Sequence, residues 1–355
     1  MKPSNFQHGH IRKARFVRCF LLLMLSGLGA LPSTGSPREQ DGQERTFTRL
    51  TRTDDTIPPQ VEYMYVKALD FLKREQKENG TFDGTYGDDP AAAAFCLMAV
   101  LAHGEDPVSG PYSELVQRSL DFILSSQSSE NGMIGSTMYS HGFATLALAE
   151  AYGAIPDDRL GPSLQKAVEL SLKAQSVNPL GAWRYDPTST DADTSVTGCI
   201  LVSLHAAANA GIEVPHKALD KGLQFMASCR DSKGIYGYTS PGSGSIAVSA
   251  IGLLTQALAK KHEEPSFQAT LAFLKSKLQT REDTYPYYME YYMAQALFHA
   301  DEEIWRAWNR RNFRLMAASQ APDGSWSGMR SPGYSTAFAL LSLAVNYRFL
   351  PIYEK

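Results

Sequence analysis

From Val61 onward the chain repeats one alternation of apolar and polar positions. Each unit opens with an amphipathic stretch that ends at or near Gln. In VKALDFLKREQ, Ala68, Leu69, Phe71 and Leu72 fall near one face of a 3.6-residue helix, with Lys, Arg and Glu opposite, as a surface helix requires. A short loop follows with Gly and, two positions on, an aromatic or apolar residue. A second stretch is then almost wholly apolar, as in AAAAFCLMAVLA, which suits a helix buried on all sides. The anchor positions Gln76, Gln127, Gln175, Cys229, Gln279 and Gln320 are spaced 51, 48, 54, 50 and 41 residues apart, in the range of stacked supersecondary repeats. An outer amphipathic helix paired six times with an inner apolar one predicts an all-α fold, a single (α/α)6 toroid of six helical hairpins over residues 58–355. An open array would need a polar cap on its last repeat. The final apolar stretch, STAFALLSLAVNY, has no such cap after it, so the pattern favours closure into a ring.

The first residues follow a different rule. Lys2, Arg12, Lys13, Arg15 and Arg18 precede a 13-residue apolar run, Cys19 to Leu31, and small residues follow it. This is the pattern of a secretory signal peptide over residues 1–31, with a retained membrane anchor as the alternative. The run is shorter than the roughly 20 residues that span a bilayer. Residues 32–57 are polar and read as a flexible linker. The expected location is secreted or periplasmic, and peripheral membrane contact is compatible with such a leader. Hydrophobic residues at 43% and charged residues at 20% exclude a disordered chain. A net charge of -3 without a basic block excludes nucleic acid as partner. Cys96, Cys199 and Cys229 sit in apolar helical settings and read as small buried hydrophobes, not as a disulfide framework.

Gln320-Ala-Pro-Asp-Gly324-Ser-Trp326 fits Q-x3-G-x-W, with looser copies at Gln76…Gly80…Phe82 and Gln175…Gly181…Trp183. In this motif, and in six units in register from Val61 to Tyr353, the chain resembles the squalene/hopene cyclase and prenyltransferase-repeat family. The resemblance implies an α/α toroid whose inner helices line an apolar central cavity. Class II terpene cyclases protonate an isoprenoid there with the middle Asp of D-x-D-D-T-[A/S]. This chain has Asp191-Ala-Asp193-Thr194-Ser195 before its third inner helix, one Asp short of the motif. Matched one way, Asp193 is the proton donor and Asp191 its partner; matched the other way, Ala192 replaces the donor. Full-length cyclases of this kind resemble two stacked toroids, and this chain supplies one. The protein prenyltransferase β-subunit is the single-toroid relative, but its zinc ligands have no counterpart here. No metal and no cofactor are therefore implied, and the implied partner is an apolar small molecule or lipid.

The residues themselves leave the chemistry open. Protonating an alkene needs a carboxylic acid kept neutral by burial or a neighbouring carboxylate, which Asp191 and Asp193 could form. The alternative is that Asp193, Thr194 or Ser195 caps the inner helix. His141 opens the second inner helix and is a further catalytic candidate, against a structural hydrogen-bonding role. Trp183, Arg184 and Tyr185 precede Asp191 and are placed to wall the same mouth. The fifth unit is dense in tyrosine, with Tyr285, Tyr287, Tyr288, Tyr291 and Tyr292 around Glu290. Such faces stabilise cations, stack on sugars, or fill a core; Tyr287, Tyr288, Glu290 and Tyr291 join Trp183 and Tyr185 as candidate substrate contacts. Two functional classes follow, with a non-catalytic scaffold as the third. A lipid-handling toroid requires a dry apolar cavity with Asp193 or Asp191 at its rim. A glycan hydrolase or lyase, recruiting Asp191, Asp193, Glu290 and His141, requires an open, polar, aromatic-lined groove.

Overall fold

A computed structural model describes residues 57–354 of the protein, apart from Ser243, residues 282–284 and Met329. The expected signal peptide and all of the expected linker except Ile57 lie outside the described residues. Twelve α-helices occur among the described residues: α1 (Pro59–Glu75), α2 (Pro90–His103), α3 (Ser113–Ser125), α4 (Met138–Tyr152), α5 (Leu160–Val177), α6 (Thr194–Asn209), α7 (His216–Ser228), α8 (Ile246–Leu258), α9 (Pro265–Lys275), α10 (Pro286–Ala300), α11 (Glu302–Ser319) and α12 (Pro332–Ala344).

The even-numbered helices form the inner layer. They pack in the order α2, α4, α6, α8, α10, α12, and α12 packs back on α2, so the ring closes. All of α2 is buried, whereas α1 buries one stripe through Val61, Met64, Tyr65, Ala68, Leu69 and Leu72. Each outer helix from α3 to α11 packs on the inner helix of the preceding unit, and α1, which has no preceding unit, packs on α12. The fold is an α/α toroid.

One joint recurs around it. Gln76 donates through Nε2 to the Gly80 carbonyl of its own loop (3.2 Å) and to Ser119 Oγ on α3 (2.8 Å). Gln127 donates to the carbonyls of Gly132 and Ser163 (3.1 and 2.9 Å). Gln175 donates to those of Gly181 and Ala218, each at 2.8 Å. Gln320 donates to Gly324 and to Met64 on α1 (3.0 and 2.9 Å), carrying the joint from the last unit to the first. Each amide thus ties a loop to the next outer helix. The loop glycine makes room for this approach: Gly324 sits at φ +97°, and a Cβ there would collide with the Lys67 carbonyl of α1. In the fourth unit Cys229 replaces Gln and cannot donate this way, and Gln279 of the fifth unit is exposed.

The far end of the ring is sealed by the C-terminal segment. Its 3-10 turn, Pro351–Tyr353, packs on α6. The Ile352 N–H donates to Glu150 Oε2 on α4 (3.3 Å), and His299 Nε2 on α10 donates to the Ile352 carbonyl (2.9 Å). Burial pushes the Glu150 carboxyl up to about 8, with Glu354 adding to the shift and the Ile352 N–H opposing it.

Two expectations test this architecture. Gln320→Ala removes two half-buried hydrogen bonds at the closing joint and is expected to cost about 1–2 kcal/mol in a denaturant melt, whereas Gln279→Ala is expected to stay within about 0.5 kcal/mol. Glu150 holds its proton to higher pH when folded than when unfolded, so its contribution is fully present below the ordinary carboxylate range and is lost as pH rises through about 8. The stability difference between wild type and Glu150→Gln is therefore expected to move by a few kcal/mol in favour of the variant between acid and pH 8, in melts across that range.

Candidate functional site

The loops that enter the inner helices lie at one end of the ring, and their residues build its mouth. Capping side chains fix these helix starts. Asp89, Thr137, Asp193, Ser245 and Ser331 each accept a backbone N–H of the first turn of α2, α4, α6, α8 and α12, satisfying donors that the helix leaves free. Asp193 holds the same structural position as a Thr and two Ser residues. Its Oδ1 accepts from Val196 N (2.8 Å).

Asp193 Oδ2 is not spent on the cap. It is fully buried without a hydrogen-bond partner of good geometry, beneath Tyr238, with Arg184 Nε 3.9 Å away. Burial raises the Asp193 carboxyl, against the lowering effects of the Val196 N–H, Arg184 and Tyr238. The same guanidinium reaches Asp191 Oδ2 at 3.1 Å through Nη1, and the Asp191 side chain is exposed. Arg184 also lies over the Tyr238 ring, and the hydroxyls of Tyr238 and Tyr185 are 3.2 Å apart. Ser195 Oγ is 2.6 Å from the Tyr288 hydroxyl of α10. The structure thus brings together Asp191, Asp193, Arg184, Tyr185 and Tyr288, and adds Tyr238 and Ser195.

The other predicted residues are elsewhere. His141 is fully buried; its Nδ1 accepts from Ile134 N (3.1 Å) and its Nε2 donates to the Ala167 carbonyl (3.0 Å), which fixes the tautomer. Burial lowers its pKa to about 4, so the ring is neutral. Thr197, Ser249 and Thr336 accept the loop N–H of Trp183, Tyr236 and Trp326 in the same way, so His141 fills a repeat position that braces a loop. Trp183 is a wedge of that joint: it is buried, and its indole N–H donates to the Ser171 carbonyl (2.8 Å). Glu290 is buried and turns outward to Arg311 of α11 (3.5 Å), away from the mouth. Tyr287 donates to the Ser327 carbonyl and braces the loop before α12.

Tyr291 belongs to the filled centre. Phe95, Phe143 and Tyr291 lie one helical turn and a half below the caps of α2, α4 and α10, level with Phe338 of α12. Phe95 stacks on Phe338 with centroids 4.4 Å apart, Phe143 meets Tyr291 at 5.9 Å, and Tyr291 meets Phe338 at 5.2 Å. Because α4 and α10 stand opposite each other in the ring, the Phe143–Tyr291 contact crosses its axis. One turn higher, Tyr139 and Tyr288 approach to 6.4 Å across the same axis and floor the mouth with Tyr334, all three half-buried. Above them stand Tyr86, Tyr185, Tyr238 and Tyr285, exposed at 45%, 43%, 39% and 48%, each on a loop leading into an inner helix. Sequence reasoning passed over Tyr86 and Tyr238; their places four and eight residues before an inner helix were the available signal.

No family model matches the chain, and no curated protein matches it. The fold is similar to several solved structures. The apo type II terpene cyclase MstE from Scytonema matches 82% of this chain and 99% of its own at 14% identity and a TM-score of 0.59. An inactive variant of the α-1,6-mannanase GH76A of Salegentibacter sp. HEL1_6, in complex with α-1,6-mannotriose, matches 81% of this chain and 99% of its own at 11% identity and a TM-score of 0.61. A family 76 glycoside hydrolase from a bovine Bacteroides thetaiotaomicron strain matches 81% and 77% at 13% identity and a TM-score of 0.63. MstE is matched over nearly its whole length by this single-toroid chain, unlike the two stacked toroids that full-length cyclases resemble. At these identities the likeness establishes the α/α toroid and no activity.

Asp193 offers a test of what its carboxyl does for the fold. Asp193→Asn keeps an oxygen for Val196 N and removes the buried charge, so it is expected to be at least as stable as wild type at neutral pH. Asp193→Ala loses the cap and is expected to cost about 1 kcal/mol in denaturant melts. Equal losses in both would mean that the attraction to Arg184 outweighs burial.

Proposed function

We propose that the toroid recognises a glycan at its mouth. The observation that carries this reading is the ring of exposed tyrosines, Tyr86, Tyr185, Tyr238 and Tyr285, above a centre closed by aromatic contacts across the axis. A tyrosine gives a sugar a flat apolar face and a hydroxyl on its edge. Arg184, Asp191 and Ser195 add donors and acceptors for sugar hydroxyls, and few convergent polar groups among aromatic walls are what orient a ligand. These exposed rings and polar groups support the reading of an open, polar, aromatic-lined mouth, as a glycan-directed toroid requires. The mannanase is a similar toroid seen with a mannotriose.

One observation favours the isoprenoid reading: Asp193 is a buried carboxyl pushed up by desolvation, as an alkene-protonating acid must be. MstE, a similar toroid, is seen with geranylgeranyl dihydroxybenzoate. Against it, Asp193 is sealed from solvent and the rings of Phe143, Tyr291 and Phe338 occupy the space that a polyene would fill.

Calorimetric titration of the full chain with a panel of neutral and acidic oligosaccharides decides between them, alongside mass spectrometry of lipid extracted from the purified protein. Saturable oligosaccharide binding is expected, weakened about three- to tenfold by each of Tyr185→Ala and Tyr238→Ala. An isoprenoid in the extract, with no oligosaccharide bound, would overturn the glycan reading.

A further inference from the structure

The arginines at the two edges of the mouth are partnered differently. At the α6/α8 edge, Arg184 lies over Tyr238 and is neutralised by Asp191 at 3.1 Å and Asp193 at 3.9 Å. At the opposite α2/α12 edge, Arg330 lies over Tyr86, its guanidinium carbon 3.6 Å from the ring centroid. Among the described residues Arg330 makes no ion pair. A guanidinium held flat on an aromatic face keeps its fork of donors in one plane and remains fully charged. A planar fork with no acidic partner is matched by an oxyanion.

The corner is rigidly built. Tyr86 has φ +61°, a left-handed backbone that costs a bulky residue about 1–3 kcal/mol and persists only where its surroundings fix it. Here Phe82 N donates to the Gly87 carbonyl (2.8 Å), Gly87 N to Gly84 (3.0 Å) and Asp89 N to Tyr86 itself (3.3 Å). Ser331 N donates to the Thr85 carbonyl (2.9 Å), which clamps this loop to the one that carries Arg330. Tyr334 stands next to Tyr86, with centroids 6.5 Å apart, and joins the corner to the floor of the mouth. The strain presents an exposed aromatic ring under an unpaired cation, where a glycine would have satisfied the backbone at less cost.

We propose that the Tyr86–Arg330 corner is a subsite for an anionic substituent on the bound glycan, the carboxylate of a uronic acid or a sulfate ester, and that it orients the chain with its anionic unit at the α2/α12 edge. The inference rests on the glycan reading of the mouth. Arg330, seated on the Tyr86 ring, takes two oxygens of the substituent.

Four oligosaccharides with one backbone test it on the full chain by calorimetry: neutral, uronate, uronate methyl ester and sulfated. The uronate or the sulfated form is expected to bind at least about tenfold more tightly than the neutral one and to lose that advantage as salt is raised; which of the two binds more tightly identifies the anion. The methyl ester is expected to behave as neutral. Arg330→Gln is expected to abolish the difference between the anionic ligands and the neutral one. Arg330→Lys, which keeps charge without the fork, is expected to restore part of the difference and to control for folding. Tyr185→Ala is expected to weaken all four alike. Equal binding of neutral and anionic forms, or an unchanged ratio in Arg330→Gln, would overturn the subsite and leave the glycan reading standing. Binding of none of the four would overturn both.

Discussion

The structure depends on the contact that joins the last repeat to the first. Gln320 reaches the Met64 carbonyl on α1, and Gly324 lets its loop press against Lys67. Every outer helix rests on the inner helix of the unit before it, and α1 finds that support only on α12. Without this closure the buried faces of α2 and α12, which pack on each other, would open to water. At about 25 cal/mol per Å² of apolar surface, that exposure outweighs any single hydrogen bond at the joint. The Gln–Gly joint thus sets the register of a closure that burial drives.

Closure also decides where chemistry can occur. It brings the caps of the inner helices to one end and encloses a layer of Phe95, Phe143, Tyr291 and Phe338 beneath them. The opposite end is sealed by Ile352 and Tyr353, tied to Glu150 and His299. With the centre filled and one end shut, the mouth is where exposed aromatic and charged groups converge. Its arginines are held differently: Asp191 and Asp193 share Arg184, while Arg330 rests on Tyr86.

Helix type and order were legible because period and burial are local signals. The apolar run of α2 and the single stripe of α1 could not exchange layers without exposing one or burying the charges of the other. The site was less legible because the direction of a side chain is set by its neighbours. Glu290 and Tyr291 are adjacent on α10, yet one meets Arg311 outside and the other Phe143 across the axis. His141 carries the chemistry of a catalytic residue, but its repeat position, shared with Thr197 and Thr336, assigns it to the loop brace. Asp193 was legible as a cap, and its second oxygen under Tyr238 was not, because Tyr238 arrives from a loop 45 residues on. The left-handed Tyr86 has no signature in sequence at all; the hydrogen bonds within its loop and the clamp from Ser331 hold it.

The most direct test of where this toroid meets its ligand is a crystal structure of the full chain grown with an acidic oligosaccharide. Sugar rings seated on Tyr185 and Tyr238 above an unmoved Phe143–Tyr291 contact are the expected result. An apolar ligand threaded between Phe143 and Tyr291, with those rings parted and Asp193 uncovered, would contradict the account.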